Sequence, residues 1–212
     1  MSDIKRLPPA PRTKPAFDPR EVTVIFVLGG PGAGKGTQCA RIVDDFHFAH
    51  YSAGDLLRAE QTRPNSEFGE LIKTYIREGK IVPMEVTVAL LENAMREEIG
   101  KTGIKRFLID GFPRKMDQAD KFDSDVCPGK LVLFFDTTEE VMLKRLLKRG
   151  ETSGRDDDNI ESIKKRFRTF VETSMPVVEK YEKLGKVLRV DASRSVDEVY
   201  AEVRKRLEAA LK

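Results

Sequence analysis

The nine residues Gly29-Gly30-Pro31-Gly32-Ala33-Gly34-Lys35-Gly36-Thr37 constrain this chain more than any other stretch. They follow residues 22–28, an apolar run broken only by Thr23 and rich in β-branched and aromatic side chains, which reads as a buried parallel strand. A helix through about Phe46 follows them. A glycine, four residues, then Gly34-Lys35 is the spacing of a loop that wraps phosphate. Glycines let backbone N–H groups turn inward around phosphate oxygens, and the start of the next helix adds partial positive charge. Gly32, Ala33, Gly34, Lys35, Gly36 and Thr37 are therefore candidate contacts to a nucleoside triphosphate, with Lys35 reaching the β- and γ-phosphates. One departure is informative. Gly36 stands where the general motif has Ser or Thr, and Thr37 comes one position later, so the hydroxyl that usually holds Mg2+ is displaced.

Downstream, strands and helices alternate. Residues 49–52, 106–110, 131–135 and 187–190 read as further strands. Residues 54–61, 67–78, 85–99, 139–149, 156–184 and 195–211 read as helices. The long one is expected to bend near Pro176, and Ser195 is placed to cap the last. This order predicts an α/β fold, a central five-stranded parallel sheet with helices on both faces. No strand falls between residues 53 and 82, so a helical insertion is expected at about 52–82 of a domain spanning 21–212. Ligands of such sheets bind at the carboxyl ends of the strands, where the glycine loop lies.

Composition narrows the partners. With 40% apolar and 34% charged residues in 212, the chain can build one sizeable core. Its longest apolar runs fall far short of the roughly 20 residues of a membrane span. The net charge of +3 resides entirely in residues 1–20, which also hold five of the eleven prolines. That segment is expected to be a disordered basic tail, and the neutral body argues against a nucleic-acid surface. Two cysteines, Cys39 and Cys127, suit a reducing compartment, and with His47 and His50 they make no zinc-ligand spacing. A cytoplasmic location is expected, with the basic tail compatible with nuclear entry.

Three further stretches share one pattern with the loop. They are SAGDLLR (52–58), LIDGFPRKMDQ (108–118) and LLKRGETSGRDDDNIESIKKRF (146–167). On these motifs the chain, over about residues 22–210, resembles the adenylate kinase-like nucleoside monophosphate kinases. Within them it is similar to the UMP–CMP kinases of the fungal uridylate kinase type. The resemblance implies a P-loop NTPase fold and reversible transfer of the ATP γ-phosphoryl group to a nucleoside monophosphate, in pyrimidine nucleotide biosynthesis. UMP is the expected acceptor, with side activity on CMP, dUMP and AMP. It also implies Mg2+ with ATP, no zinc, a monomer, and neither nucleic acid nor membrane as partner.

The same resemblance assigns residues. Arg58 and Arg114 are implied to hold the acceptor phosphate. Arg149, Arg155 and Arg166 neutralise the moving group, Arg155 and Arg166 also touching the acceptor. Guanidinium forks suit this work because they are permanently charged and bidentate. Arg149 lies toward ATP, and Arg194 belongs to the loop whose backbone contacts adenine. The stretch of about 149–158 is a short lid. Lys80, Ile81, Val82 and Gln118 flank the acceptor base, with Gly111, Phe112 and Pro113 beside it. Asp110, at a strand end, either holds Mg2+ through water or caps the next turn. Asp157 and Asp158 either position Arg155, or approach the metal's water shell, or serve as acids at a helix start. Two other readings stand beside this one: an adenylate kinase with AMP as main acceptor, and a non-catalytic nucleotide-binding protein.

Overall fold

A computed structural model describes residues 14–155 and 157–212. Five parallel strands form one sheet: β1 (Thr23–Gly29), β2 (Ala49–Ser52), β3 (Arg106–Asp110), β4 (Leu131–Asp136) and β5 (Val187–Asp191), in the order β2-β3-β1-β4-β5. β1 is central, with Ile25 opposite both Leu108 of β3 and Leu131 of β4. Because side chains alternate along a strand, β1 feeds two cores. Val24, Phe26 and Leu28 join Phe107, Ile109, Val132 and Phe134 on one face. Ile25 and Val27 join Leu108, Leu133 and Phe135 on the other.

Helices cover both faces. α4 (Met84–Thr102), α5 (Met116–Asp125) and α8 (Met175–Lys183) supply Leu91, Phe122 and Tyr181 to the first core. α1 (Lys35–Phe46), α6 (Glu139–Gly150), α7 (Ile160–Thr169) and α9 (Val196–Ala210) supply Ile42, Leu146, Ile163 and Val203 to the second. α2 (Ala53–Thr62) and α3 (Gly69–Arg77) gather with α4 around a small third cluster of Leu57, Ile72, Val82 and Val86, while Ala53 and Leu56 of α2 also meet the first core. No described helix is long and apolar enough to cross a membrane.

Four sequence expectations are corrected. The helix α5 was not expected, because MDQADKFDSD is mostly polar and buries only Gln118, Ala119 and Phe122. The helix expected from residue 156 begins at Ile160, since Asn159 caps it by accepting from the Ser162 N–H at 3.0 Å. The irregularity expected at Pro176 lies just before it, in a π turn over Phe170–Ser174, where the Met175 N–H reaches back to the Phe170 carbonyl. Finally, residues 14–20 do not form the expected loose tail. The Ala16 and Phe17 N–H groups donate to Asp125 and Val126 carbonyls at 2.9 Å, and the Phe17 ring packs on the first core under the Arg96 guanidinium. The rest of the expected tail, residues 1–13, lies outside the described residues.

Candidate active site

The glycine loop leaves the carboxyl end of β1 and enters α1. Gly32 and Gly34 have φ of 84° and 90°, and a Cβ on Gly32 would stand 2.7 Å from the Met142 carbonyl oxygen. Only glycine suits both positions. No side chain caps α1, and its first turn holds no acidic residue. Its free N–H groups and positive pole are thus left for an anion. Lys35 Nζ donates to the Gly29 and Gly30 carbonyls at 3.0 and 3.1 Å. Burial pushes the Lys35 pKa down, against the pull of nearby Asp110.

A cleft of about 500 Å³ opens above this loop. Lys35, Arg58, Arg114, Arg149, Arg155 and Arg166 all line it, although they come from α1, α2, α6, α7 and two connecting segments. So many cations in one hollow repel one another. Arg114, held by its Nε–H to the Gly111 carbonyl at 2.7 Å, is pushed down to about 10 by burial and by Arg166. Arg166 and Arg155 are lowered as well, both chiefly by burial.

Carboxylates hold the set together. Asp158 takes Arg149 as a two-pronged fork, Nε at 2.8 Å and Nη2 at 2.5 Å, and also accepts from the Ser153 hydroxyl and Arg166. Burial would raise the Asp158 carboxyl, but the hydrogen bonds from Arg149 and Ser153 outweigh it and hold it below the ordinary value. Asp157 Oδ2 meets Arg166 Nη1 at 2.9 Å. Both acids therefore position Arg149 and Arg166 rather than Arg155, and neither heads α7, which Asn159 caps. Arg155 pairs instead with Asp55 of α2 at 3.1 Å, and Asp55 also holds Arg58 at 2.5 Å. Asp110, 8% exposed at the end of β3, keeps one carboxylate oxygen without a hydrogen-bond partner.

The far end of the cleft is more apolar. Leu57, Ile76, Ile81, Val82 and the backbone of Lys80 line it, the Lys80 ammonium being outside with Glu78. Gln118, 2% exposed, accepts the Arg114 N–H on Oε1 at 2.8 Å, which leaves its Nε2–H2 as the free donor. Gly111 and Phe112 line the cleft, but the Phe112 ring points into the core against Phe26 and Phe122 and offers only backbone. Ala33 is likewise buried against the second core. Pro113 does not line this cleft; it faces a small adjoining pocket beside Arg114 and Arg166. Gly36, Thr37 and Arg194 line the near end, Arg194 being paired with Glu202.

Several lining residues escaped the sequence reading. Arg145 lies one helical turn before Arg149 on α6, and the i, i+4 spacing was the available signal. Asp55 and Thr87 carried none. The Thr87 hydroxyl is buried and without a partner. The fold also brings Cys39 and His50, which made no ligand spacing in sequence, next to Asp110.

A parallel sheet bearing a phosphate loop, with a ring of arginines lining one cleft above it, defines a P-loop phosphotransferase. The family model for adenylate kinase matches residues 27–186. The chain is 65% identical over 196 residues to a UMP-CMP kinase of Lentinula edodes, covering 89% of this chain and 86% of that protein. It is 62% identical over 194 residues to the uridylate kinase of Saccharomyces cerevisiae, covering 92% and 95%. It is 57% identical over 189 residues to the uridylate kinase of Schizosaccharomyces pombe, covering 89% and 98%. The chain belongs to the adenylate kinase family.

Proposed function

We propose that this chain transfers the γ-phosphoryl group of ATP to UMP, giving UDP and ADP, with CMP, dUMP and AMP as lesser acceptors. The observation that carries the reading is the ring of six cations in one cleft, between a triphosphate loop and an end lined by Leu57, Ile76, Ile81 and Val82. Two nucleotides meeting there bring several negative charges to one point, and catalysis is then mainly positioning and charge stabilisation. A nonbridging oxygen of the acceptor phosphate forms the new bond to the γ-phosphorus as the bond to the β,γ-bridging oxygen breaks. The electron pair leaves with ADP. The attacking oxygen is already anionic, so no general base is required.

The donor phosphates take the N–H groups of residues 32–37, and Lys35 exchanges its two carbonyl partners for phosphate oxygens. Arg58 and Arg114 hold the acceptor phosphate; Arg149, Arg155 and Arg166 face the group in flight. Arg145 and Arg194 flank the adenine end, where a guanidinium plane can stack on a base. Asp110, with its free carboxylate oxygen, would hold Mg2+ carried in with ATP through water, and the ion would supply charge against the β- and γ-phosphates. The 149–158 segment acts as lid and the α2–α3 segment as the acceptor's cover. The pair Arg155–Asp55 joins them across the cleft, which keeps water from the phosphoryl group.

Base choice follows from the orientation of Gln118. Its Nε2 donor suits O4 of uracil, N3 of cytosine and N1 of adenine alike, which supports a broad acceptor range. The Thr87 hydroxyl, which lines the cleft without a partner, is a second polar contact for a pyrimidine edge. Relative kcat/KM for UMP, CMP, dUMP and AMP under one condition tests this. UMP is expected to lead; an AMP value equal to or above it overturns the assignment.

A further inference from the structure

We propose that Cys39, His50 and Asp110 form a binding site for one thiophilic divalent ion of the zinc type, and that its occupation arrests phosphoryl transfer. The three residues come from α1, β2 and the end of β3. Their ligand atoms, one thiol sulfur, one ring nitrogen and one carboxylate oxygen, all lie within 4.8 Å of one another. His50 Nε2 is 3.5 Å from Asp110 Oδ2. Two atoms of the group are orphans: His50 Nε2 and Asp110 Oδ1 are buried and have no hydrogen-bond partner. Unsatisfied buried polar atoms are rare, because each forgoes its bonds to water, and two on residues that share one cluster with a thiol point to a missing common partner.

The donor set selects the ion. Sulfur with imidazole and carboxylate suits zinc, cobalt or cadmium; Mg2+ takes oxygen and rejects sulfur. Bonds of about 2.0–2.3 Å place tetrahedral neighbours roughly 3.5 Å apart, so the cluster needs to contract by about an ångström, within the reach of side-chain rotation. His50 lines the cleft, so a water from that side can fill the fourth position. Coordination exchanges the thiol proton, released to solvent, for two positive charges. The bound site thus gains one net charge beside Lys35.

Arrest follows because the ion takes Asp110 from the water shell of Mg2+ and stands beneath the phosphate loop. That consequence rests on the proposed phosphotransfer; the binding does not. Co2+ is the probe, because cobalt–thiolate bonds absorb in the near ultraviolet and tetrahedral cobalt absorbs in the visible. The full chain is expected to take up one Co2+ with a sulfur-to-cobalt band that Zn2+ displaces. Cys39→Ala should abolish the band, and His50→Asn should weaken Zn2+ binding roughly tenfold or more, since even an outer partner of a ligand costs that much. Zn2+ added at fixed ATP, Mg2+ and UMP should inhibit the unaltered chain, while both variants resist, each scored against its own zinc-free rate. A melting curve identifies a variant that does not fold, and His50→Asn, away from the core centre, then decides alone. Cobalt bound without the sulfur band, or equal Zn2+ affinity in chain and variants, overturns the site. Equal inhibition of all three overturns the arrest and leaves the phosphotransfer reading untouched.

Discussion

The two ends of the cleft are built by different means. The donor end is backbone: a loop between a central strand with five buried inner residues and α1, fixed by glycine geometry and by two cores packed behind it. The acceptor end is side chain. α3 rests with α2 and α4 on a cluster of four buried residues, α2 reaches the first core through Ala53 and Leu56, and the segment is tied to α7 by bonds such as Thr169 Oγ1 to the Gly79 carbonyl at 2.9 Å. The arginines join the two ends and depend on Asp55, Asp157 and Asp158 for their placement. A triphosphate is thus met by a preformed cradle, whereas an acceptor is met by a set of ties that can be broken singly.

The sharpest break is at the donor end. Lys35→Ala removes the one cation inside the loop and leaves its backbone geometry intact. We expect kcat to fall by about a hundredfold or more, the range found when one preorganised charge-stabilising donor is removed. The melting temperature should hardly change, because the lost partners are two carbonyls that ordered water can satisfy. Steady-state kinetics with a parallel melt checks both; an unchanged kcat would dissociate the loop from the reaction.

Asp158→Ala strikes the link between the ends. It frees two arginines at once, and misplacement of catalytic groups by an ångström costs about a hundredfold in rate. Its side chain is 1% exposed, but Arg149 opens on the cleft, so the stability loss should be about 2 kcal/mol, below that of a fully buried pair. The carboxyl is held below its ordinary value of 3.8 in the folded chain. Its contribution is therefore complete above that value and is lost as pH falls through the lower folded one. The melting-temperature gap between chain and variant should stay constant at neutral pH and close only in acid.

This division also explains what the sequence discloses. The donor end is legible because local backbone chemistry dictates glycine at each turn. β1 is legible because both its faces are buried. The pairs that place the arginines are not: Arg155 finds Asp55 one hundred residues away, and no spacing encodes that. The helix α5 hid for a related reason. Its worth lies in Phe122, whose ring meets Phe26 and Phe112, and a ten-residue segment with three buried positions shows little period. Thr87 is one hydroxyl in a helix until the fold sets it, unpartnered, in the lining of the cleft.

A milder break separates the ends kinetically. Thr169→Val keeps volume and removes one hydrogen bond to Gly79, worth about 1 kcal/mol. KM for UMP should rise about fivefold, the equivalent of that energy, while KM for ATP stays constant. An equal rise in both would mean that the tie serves the whole molecule rather than the acceptor cover.

The control for that split lies at the other end of the sheet. Phe17 docks between α4 and the end of α5, before β1 begins, whereas the cleft opens where the strands finish. Phe17→Ala removes a half-buried ring and its contact with Arg96, a loss of about 1–2 kcal/mol. The melting temperature should drop, yet both KM values and kcat should stand, because no phosphate, no base and no partner of the cleft arginines is touched. If instead KM for UMP rose here as in Thr169→Val, loosening anywhere would weaken the acceptor end. The Thr169 bond would then lose its special place, and the cover would report global stability rather than its own ties.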